Sequence, residues 1–196
     1  MYTVLGLGNP GSRYENTRHN IGHMVISELA NRIGVQLSRH KQSGTYAASA
    51  RIGMAPGELG EQVILAISQG YMNTTGGPTA SLLAYFNASP KNLIVIHDDL
   101  DLPFSTLKLK RGGGEGGHNG LKSISQSLGT RDYIRLRFGI GRPPARQDPA
   151  DYVLGAFTSA ERKELGLLIS QAADAVEDVM LHGLEQATMR LHSARQ

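Results

Sequence analysis

Short apolar runs bounded by turn-forming residues alternate along this chain with longer stretches in which apolar positions recur every three or four residues. The short runs predict strands over residues 2–7, 46–52, 62–68, 93–97, 106–110 and 133–140. The longer stretches predict helices. Ile21, Met24, Val25, Leu29 and Ile33 share one helical face, and Gly34 stands where a helix would stop. A second helix is expected from near Pro78 to about Phe86, with the proline tolerated in its first turn, and a third over 119–128. The longest is expected over 159–182, capped by Thr158 or Ser159. Strands alternating with helices imply an α/β fold around a central sheet. The runs 46–52 and 62–68, joined by the Gly- and Pro-containing "GMAPGELGE", read as an antiparallel pair, so the sheet should be mixed. No repeat, low-complexity tract or linker divides the 196 residues. The expectation is one α/β domain spanning 1–196, a mixed central β-sheet flanked by helices.

Composition narrows the chemistry. No apolar run approaches the roughly eighteen residues of a membrane span, and Met1 leads straight into the strand-like "YTVLGL" with no leader pattern. Neither export nor membrane insertion is expected. The chain has no cysteine, which removes disulfides, thiolate zinc sites, iron–sulfur clusters and a cysteine nucleophile together. Chemistry is left to His, Asp, Asn, Lys or a hydroxyl. Net charge is only +3, yet the window 107–146 holds nine basic residues against two acidic ones, Glu115 and Asp132. Such a local excess suits a polyanion-binding face, and a solvated strand-and-loop surface is the plainer alternative.

The glycines of "GLGNPG" have the spacing G-x-G-x-x-G, but the context is wrong for a dinucleotide. Such a site needs a helix starting at the turn and an acid about 20 positions on. Here Pro10 lacks an N–H, "SRYENTRHN" delays the helix, and "VQLSRHKQSG" holds no acid. The glycines are better read as a tight turn presenting Asn9 at a crevice; the alternative for Asn9 is a turn residue bonded only to its own backbone.

Other polar groups fall at predicted strand ends or loop-to-helix junctions: His19 and Asn20 in "TRHNIG", Tyr71, Met72 and Asn73 in "YMNTTGG", His97, Asp98, Asp99 and Asp101 in "IHDDLDLP", and His118 and Asn119 in "GGGEGGHNG". Asp98 follows the apolar "LIVI", which puts it near the carboxyl end of a buried strand, where open α/β sheets bind ligands. A histidine base needs an orienting acceptor on one ring nitrogen, and His19 with Asp98 is a candidate pair. The plainer readings are His19 as a polar residue at a helix start and Asn73 or Asn119 as helix caps. A serine hydrolase lacks its G-x-S-x-G elbow here. Metal binding by "HDDLD" is disfavoured because strand alternation sends His97 and Asp98 to opposite faces. The loop "RGGGEGGHNG" lacks the Lys-Ser/Thr ending of a P-loop and reads as a flexible lid over a cleft.

In this order, "GLGNPG", "TRHNIG", "YMNTTG", "HDDLDLP", "GGGEGGHNGLKS" and "RLRFGIGRP" make the sequence resemble, over nearly its whole length, the bacterial-type peptidyl-tRNA hydrolases. The resemblance implies a monomeric, cytoplasmic, metal-independent esterase without a cofactor or obligate protein partner. It would cleave the ester between a peptide and the 3′-terminal ribose of tRNA, recycling tRNA dropped from ribosomes. It implies His19 as general base and Asp98 as the group holding its tautomer. Asn9 would contact the acyl portion, and Asn73 and Asn119 would position substrate and water, a side-chain amide also stabilising the oxyanion. Tyr14, Tyr71 and Met72 would line the cleft, His118 would contact substrate, and Lys108, Lys110 and Arg137 would grip tRNA phosphates. Glu115 departs from the pattern by placing a negative charge in the glycine loop, and Thr75 stands where a serine is expected. Two rivals are an RNA-binding module on the same fold without activity and a metal-dependent phosphoesterase.

Overall fold

A computed structural model describes residues 1–194; the last two positions of the expected 1–196 domain lie outside the described residues. Its seven strands form one sheet. They are β1 (Tyr2–Gly6), β2 (Ser38–His40), β3 (Thr45–Ile52), β4 (Glu61–Ser68), β5 (Leu93–Asp99), β6 (Leu107–Arg111) and β7 (Ile134–Gly139), in the order β2-β3-β4-β1-β5-β7-β6. The inner pairs β4–β1, β1–β5 and β5–β7 are parallel. Both margins, β2–β3–β4 and β6–β7, are antiparallel, so the sheet is mixed as expected.

Period-two alternation in the buried strands divides the apolar residues between two cores. Val4, Val63, Leu65, Ile94, Ile96 and Leu136 face α1 (Ile21–Ile33), α5 (Ser159–His182) and α6 (Leu184–Ser193). Their strand neighbours Leu5, Ile64, Val95 and Tyr133 face α2 (Gly76–Tyr85) and α3 (Asn119–Leu128). The result is a single three-layer α/β domain. The helix after β1 covers one face of the sheet and the helix before β5 covers the other, while β1 and β5 lie side by side. Their carboxyl ends therefore open into the crevice characteristic of such a switch point.

Helix boundaries follow local chemistry. Gly34 ends α1 in the left-handed conformation at φ 78°, and its N–H bonds Ala30 O. Thr158 caps α5 in a reciprocal capping box with Glu161. Two elements, β2 and α4 (Pro149–Val153), were not expected from the pattern. The first is a three-residue, largely exposed margin strand with too few positions to display alternation. The second is a single turn, although Asp148 caps it and Pro149 occupies the first turn.

The opening glycines serve packing as much as turning. A Cβ on Gly6 would lie 2.2 Å from the carbonyl oxygen of Gly22, and one on Gly8 would lie 2.7 Å from the His23 ring. The end of β1 and the start of α1 touch through bare backbone. Gly11, at φ +94°, supplies the turn itself.

Candidate active site

The crevice is built from four connections. The turn after β1 carries Asn9, and the short 3₁₀ turn Arg18–Asn20 before α1 carries His19. The end of β5 carries Asp98, and the glycine loop closes on His118 at the start of α3. Asp98 is 3 % exposed and stands between two imidazoles. Its Oδ2 accepts from His19 Nδ1 at 2.8 Å, and its Oδ1 accepts from His118 Nε2 at 2.8 Å.

Protonation follows from these bonds. Burial alone would raise the Asp98 pKa, but His19 and His118 hold it well below the usual carboxylate range, so Asp98 is ionised and accepts from both rings. For His19, burial disfavours the imidazolium, yet the charge and hydrogen bond of Asp98 outweigh it and raise the pKa above 6.5. With Nδ1–H given to Asp98, neutral His19 keeps its lone pair on Nε2. Its ring lines a cavity of about 360 Å³.

That cavity also touches Asp98, His118, Asn119, Lys110 and Arg137. It runs beneath the glycine loop, which forms part of its wall through Gly114 to Gly117. The expected flexible lid is pinned. Buried Arg135 donates to the carbonyls of Gly113, at 2.8 Å, and Gly114, and Glu115 accepts from Arg131 at 2.8 Å. The unexpected acid thus belongs to an ion pair with Arg131.

Asn9 is 8 % exposed and does not bond to its own backbone. Its Oδ1 accepts from Met72 N–H at 2.8 Å, which fixes the amide's direction and leaves its NH₂ as the donor outside that bond. Asn20 clasps the same residue, accepting from Asn9 N–H and donating to Asn9 O, each at 2.9 Å. Asn20 stood beside His19 in the sequence, but nothing there indicated that it would tie the two segments together.

Neither Asn73 nor Asn119 caps a helix through its side chain. Asn73 lies inside the 3₁₀ turn Met72–Thr74, and the cap of α3 is His118, whose Nδ1 accepts from Gly120 N–H and Leu121 N–H. Both asparagines are exposed. Tyr14 and the exposed Tyr71 meet edge to face, their centroids 6.4 Å apart. Met72 departs from expectation. Its side chain is buried in the second core, because the turn that exposes Asn73 directs the preceding residue inward, so its contribution to the crevice is the N–H that holds Asn9. His118 lines the cavity, with its two ring nitrogens bonded to Asp98 and to the α3 N–H groups.

His19, Asp98 and His118 bring potential ligand atoms within 4.8 Å of one another. The nitrogens facing Asp98 carry protons, whereas an ion would need their lone pairs. The trio is joined as a hydrogen-bond chain. His97 stays out of it, as strand alternation predicts; its Nδ1 bonds the backbone O of Asp98 at 2.8 Å, and burial lowers its pKa to about 4.

The basic window resolves into unequal parts. Arg131, Arg137 and Arg142 pair with Glu115, Asp99 and Asp101, and Arg111 pairs with Asp132. Lys108 and Lys110 lie on the exposed positions of margin strand β6, in register with Arg137 and Arg135. Among the described residues neither lysine has a carboxylate partner. Together with Arg137 they form a cationic strip reaching the cavity.

Fold and site define a single-domain α/β protein with a hydrogen-bonded histidine–aspartate pair at the carboxyl end of its sheet. A family profile described as peptidyl-tRNA hydrolase matches residues 3–196. The chain is 53% identical over 193 residues to a peptidyl-tRNA hydrolase of Kineococcus radiotolerans, covering 98% of this chain and 97% of that one. It is 54% identical to one of Nocardia farcinica, covering 96% and 95%. The crystal structure of peptidyl-tRNA hydrolase from Acinetobacter baumannii superposes with a TM-score of 0.89 at 31% identity, covering 97% of this chain and 94% of that one. The chain belongs to the peptidyl-tRNA hydrolase family.

Proposed function

We propose that this protein hydrolyses the ester joining a peptide, or an N-blocked aminoacyl group, to the 3′-terminal ribose of tRNA, and that one domain over 1–196 does so as a cytoplasmic monomer. The observation that carries this reading is the His19–Asp98 pair, which leaves an imidazole lone pair beside a cavity reached by a cationic strip.

In the reaction, His19 Nε2 takes a proton from water as the water oxygen attacks the ester carbonyl. The resulting imidazolium is stabilised by Asp98. Collapse of the tetrahedral intermediate breaks the bond to the ribose oxygen, which receives the proton back from His19; the products are free tRNA and a peptide carboxylic acid. Asn9 offers its amide NH₂ to the acyl portion, while Asn73 and Asn119 position substrate and water and supply a donor to the oxyanion. Tyr14 and Tyr71 border the cleft, and Lys108, Lys110 and Arg137 hold tRNA phosphates. An ester has a better leaving group than an amide, so activated water with oriented donors suffices without a covalent intermediate. No metal or cofactor is required by these steps. No helix among the described residues is long and apolar enough to cross a membrane.

The test is release of N-acetylated amino acid from acylated tRNA in excess EDTA. Wild-type protein should turn over, and His19→Ala should be slower by roughly 10² or more while still binding tRNA. Equal rates would overturn the role of His19; tRNA binding without cleavage by either protein would favour the RNA-binding module.

A further inference from the structure

His118 differs from an ordinary helix cap and from an ordinary catalytic-site histidine in having both ring nitrogens committed. Its Nδ1 accepts from Gly120 N–H at 3.1 Å and from Leu121 N–H at 3.4 Å, so Nδ1 carries no proton. The ring proton is therefore on Nε2, which donates to Asp98 Oδ1 at 2.8 Å. His118 thus accepts through Nδ1 and donates through Nε2.

The other oxygen of the same carboxylate holds His19, and the two rings lie 4.8 Å apart between centroids. We propose that His118 is a positioning residue, a hydrogen-bond donor that fixes the Asp98 carboxylate against His19 and sets the pH at which His19 becomes a base. The physical ground is charge sharing. A hydrogen bond donated to Oδ1 absorbs part of the carboxylate's negative potential, and without it more of that potential stabilises the His19 imidazolium.

The surrounding charges leave this lever to His118. His97, edge-on to His118 at 5.3 Å, is buried and neutral. Asp99 is paired with Arg137, Asp101 with Arg142, Arg18 with Glu161 and Glu115 with Arg131. Arg135 is bonded to the loop carbonyls, and Lys110 stands in the cavity wall. His23, on α1, has its pKa lowered by burial to about 4 and is also neutral.

The inference rests on His19 being the base, and two substitutions divide the two duties of His118. An asparagine oxygen can replace Nδ1 as the cap but leaves Asp98 Oδ1 without its donor; a glutamine nitrogen can replace Nε2 but leaves α3 uncapped. The experiment follows the His19 ring by NMR across pH in wild type, His118→Asn and His118→Gln, alongside the pH dependence of kcat/KM. In His118→Asn the His19 titration and the acid limb should both move up by about one pH unit, with kcat several-fold lower and KM little changed. In His118→Gln both should stay near wild type while thermal stability falls. An unmoved His19 titration in His118→Asn overturns the proposal, whether accompanied by a higher KM, which marks a substrate contact, or by no kinetic change, which marks a plain cap. A moved titration with an unmoved kinetic limb would uphold the coupling of His118 to His19 and overturn instead the assignment of His19 as the base.

Discussion

Arg18 and Glu161, 143 positions apart, form an ion pair at 3.1 Å that ties the turn carrying His19 to the first turn of α5. The Arg18 guanidinium also lies over the Tyr152 ring at 4.0 Å and donates to Tyr152 O. Glu161 at the same time completes the capping box of α5. The segment that presents His19 is therefore held from behind by Tyr152 and Glu161, neither of which lines the cavity.

Removing one partner should leave the other buried and uncompensated. Glu161→Ala is expected to destabilise the protein by about 3 kcal/mol or more, whereas Thr158→Ala, which removes only the cap, should cost about 1 kcal/mol. Urea denaturation monitored by circular dichroism would compare them. Equal losses would mean that Arg18 gains little from its partner.

Activity should fall as pH drops through a value above 6.5, because the His19 pKa is raised and only the neutral ring is a base. Replacing Asp98 with Asn removes the charge that raises it. The limb should move to lower pH even as the rate drops by about 10²-fold or more. A pH–kcat/KM profile of Asp98→Asn checks this, and a limb that stays in place would show that another group titrates.

Stability should respond to pH with opposite signs from different histidines. The raised His19 pKa means that its pairing with Asp98 contributes fully below 6.5, the unfolded value, and is lost as pH rises through the folded value. His23 and His97 are buried neutral with pKa values lowered to about 4, so the unfolded chain binds protons first and stability is lost as pH falls from 6.5 toward 4. Each contributes at most on the order of 3 kcal/mol across that window. Urea midpoints measured from pH 7.5 down to 4.5 should fall, and His23→Leu should flatten the decline; an unchanged slope in the variant would remove His23 from the account.

Much of the fold is legible in local sequence pattern. The apolar runs of β1, β4 and β5, the Gly34 stop and a cap at Thr158 or Ser159 are properties of a few neighbouring residues; the runs and the stop appear where the pattern placed them, and the cap is Thr158. The pairing of His19 with Asp98 was also readable, because a histidine near a helix start and an acid at the end of an apolar strand have few better uses together.

What the sequence determined by itself was therefore the set of elements, the supply of chemical groups and, through several ordered motifs, the family. The tertiary structure alone decided how those groups are divided. It gave both nitrogens of His118 to Asp98 and α3, buried the Met72 side chain beneath Asn9, confined Arg135 to the glycine loop, and left Lys108 and Lys110 without a carboxylate partner among the described residues. Local pattern follows from the few-residue periods of strand and helix. The partner of a polar group follows from strand order and helix placement, which join residues 20 positions apart in His118 and Asp98 and 79 apart in His19 and Asp98.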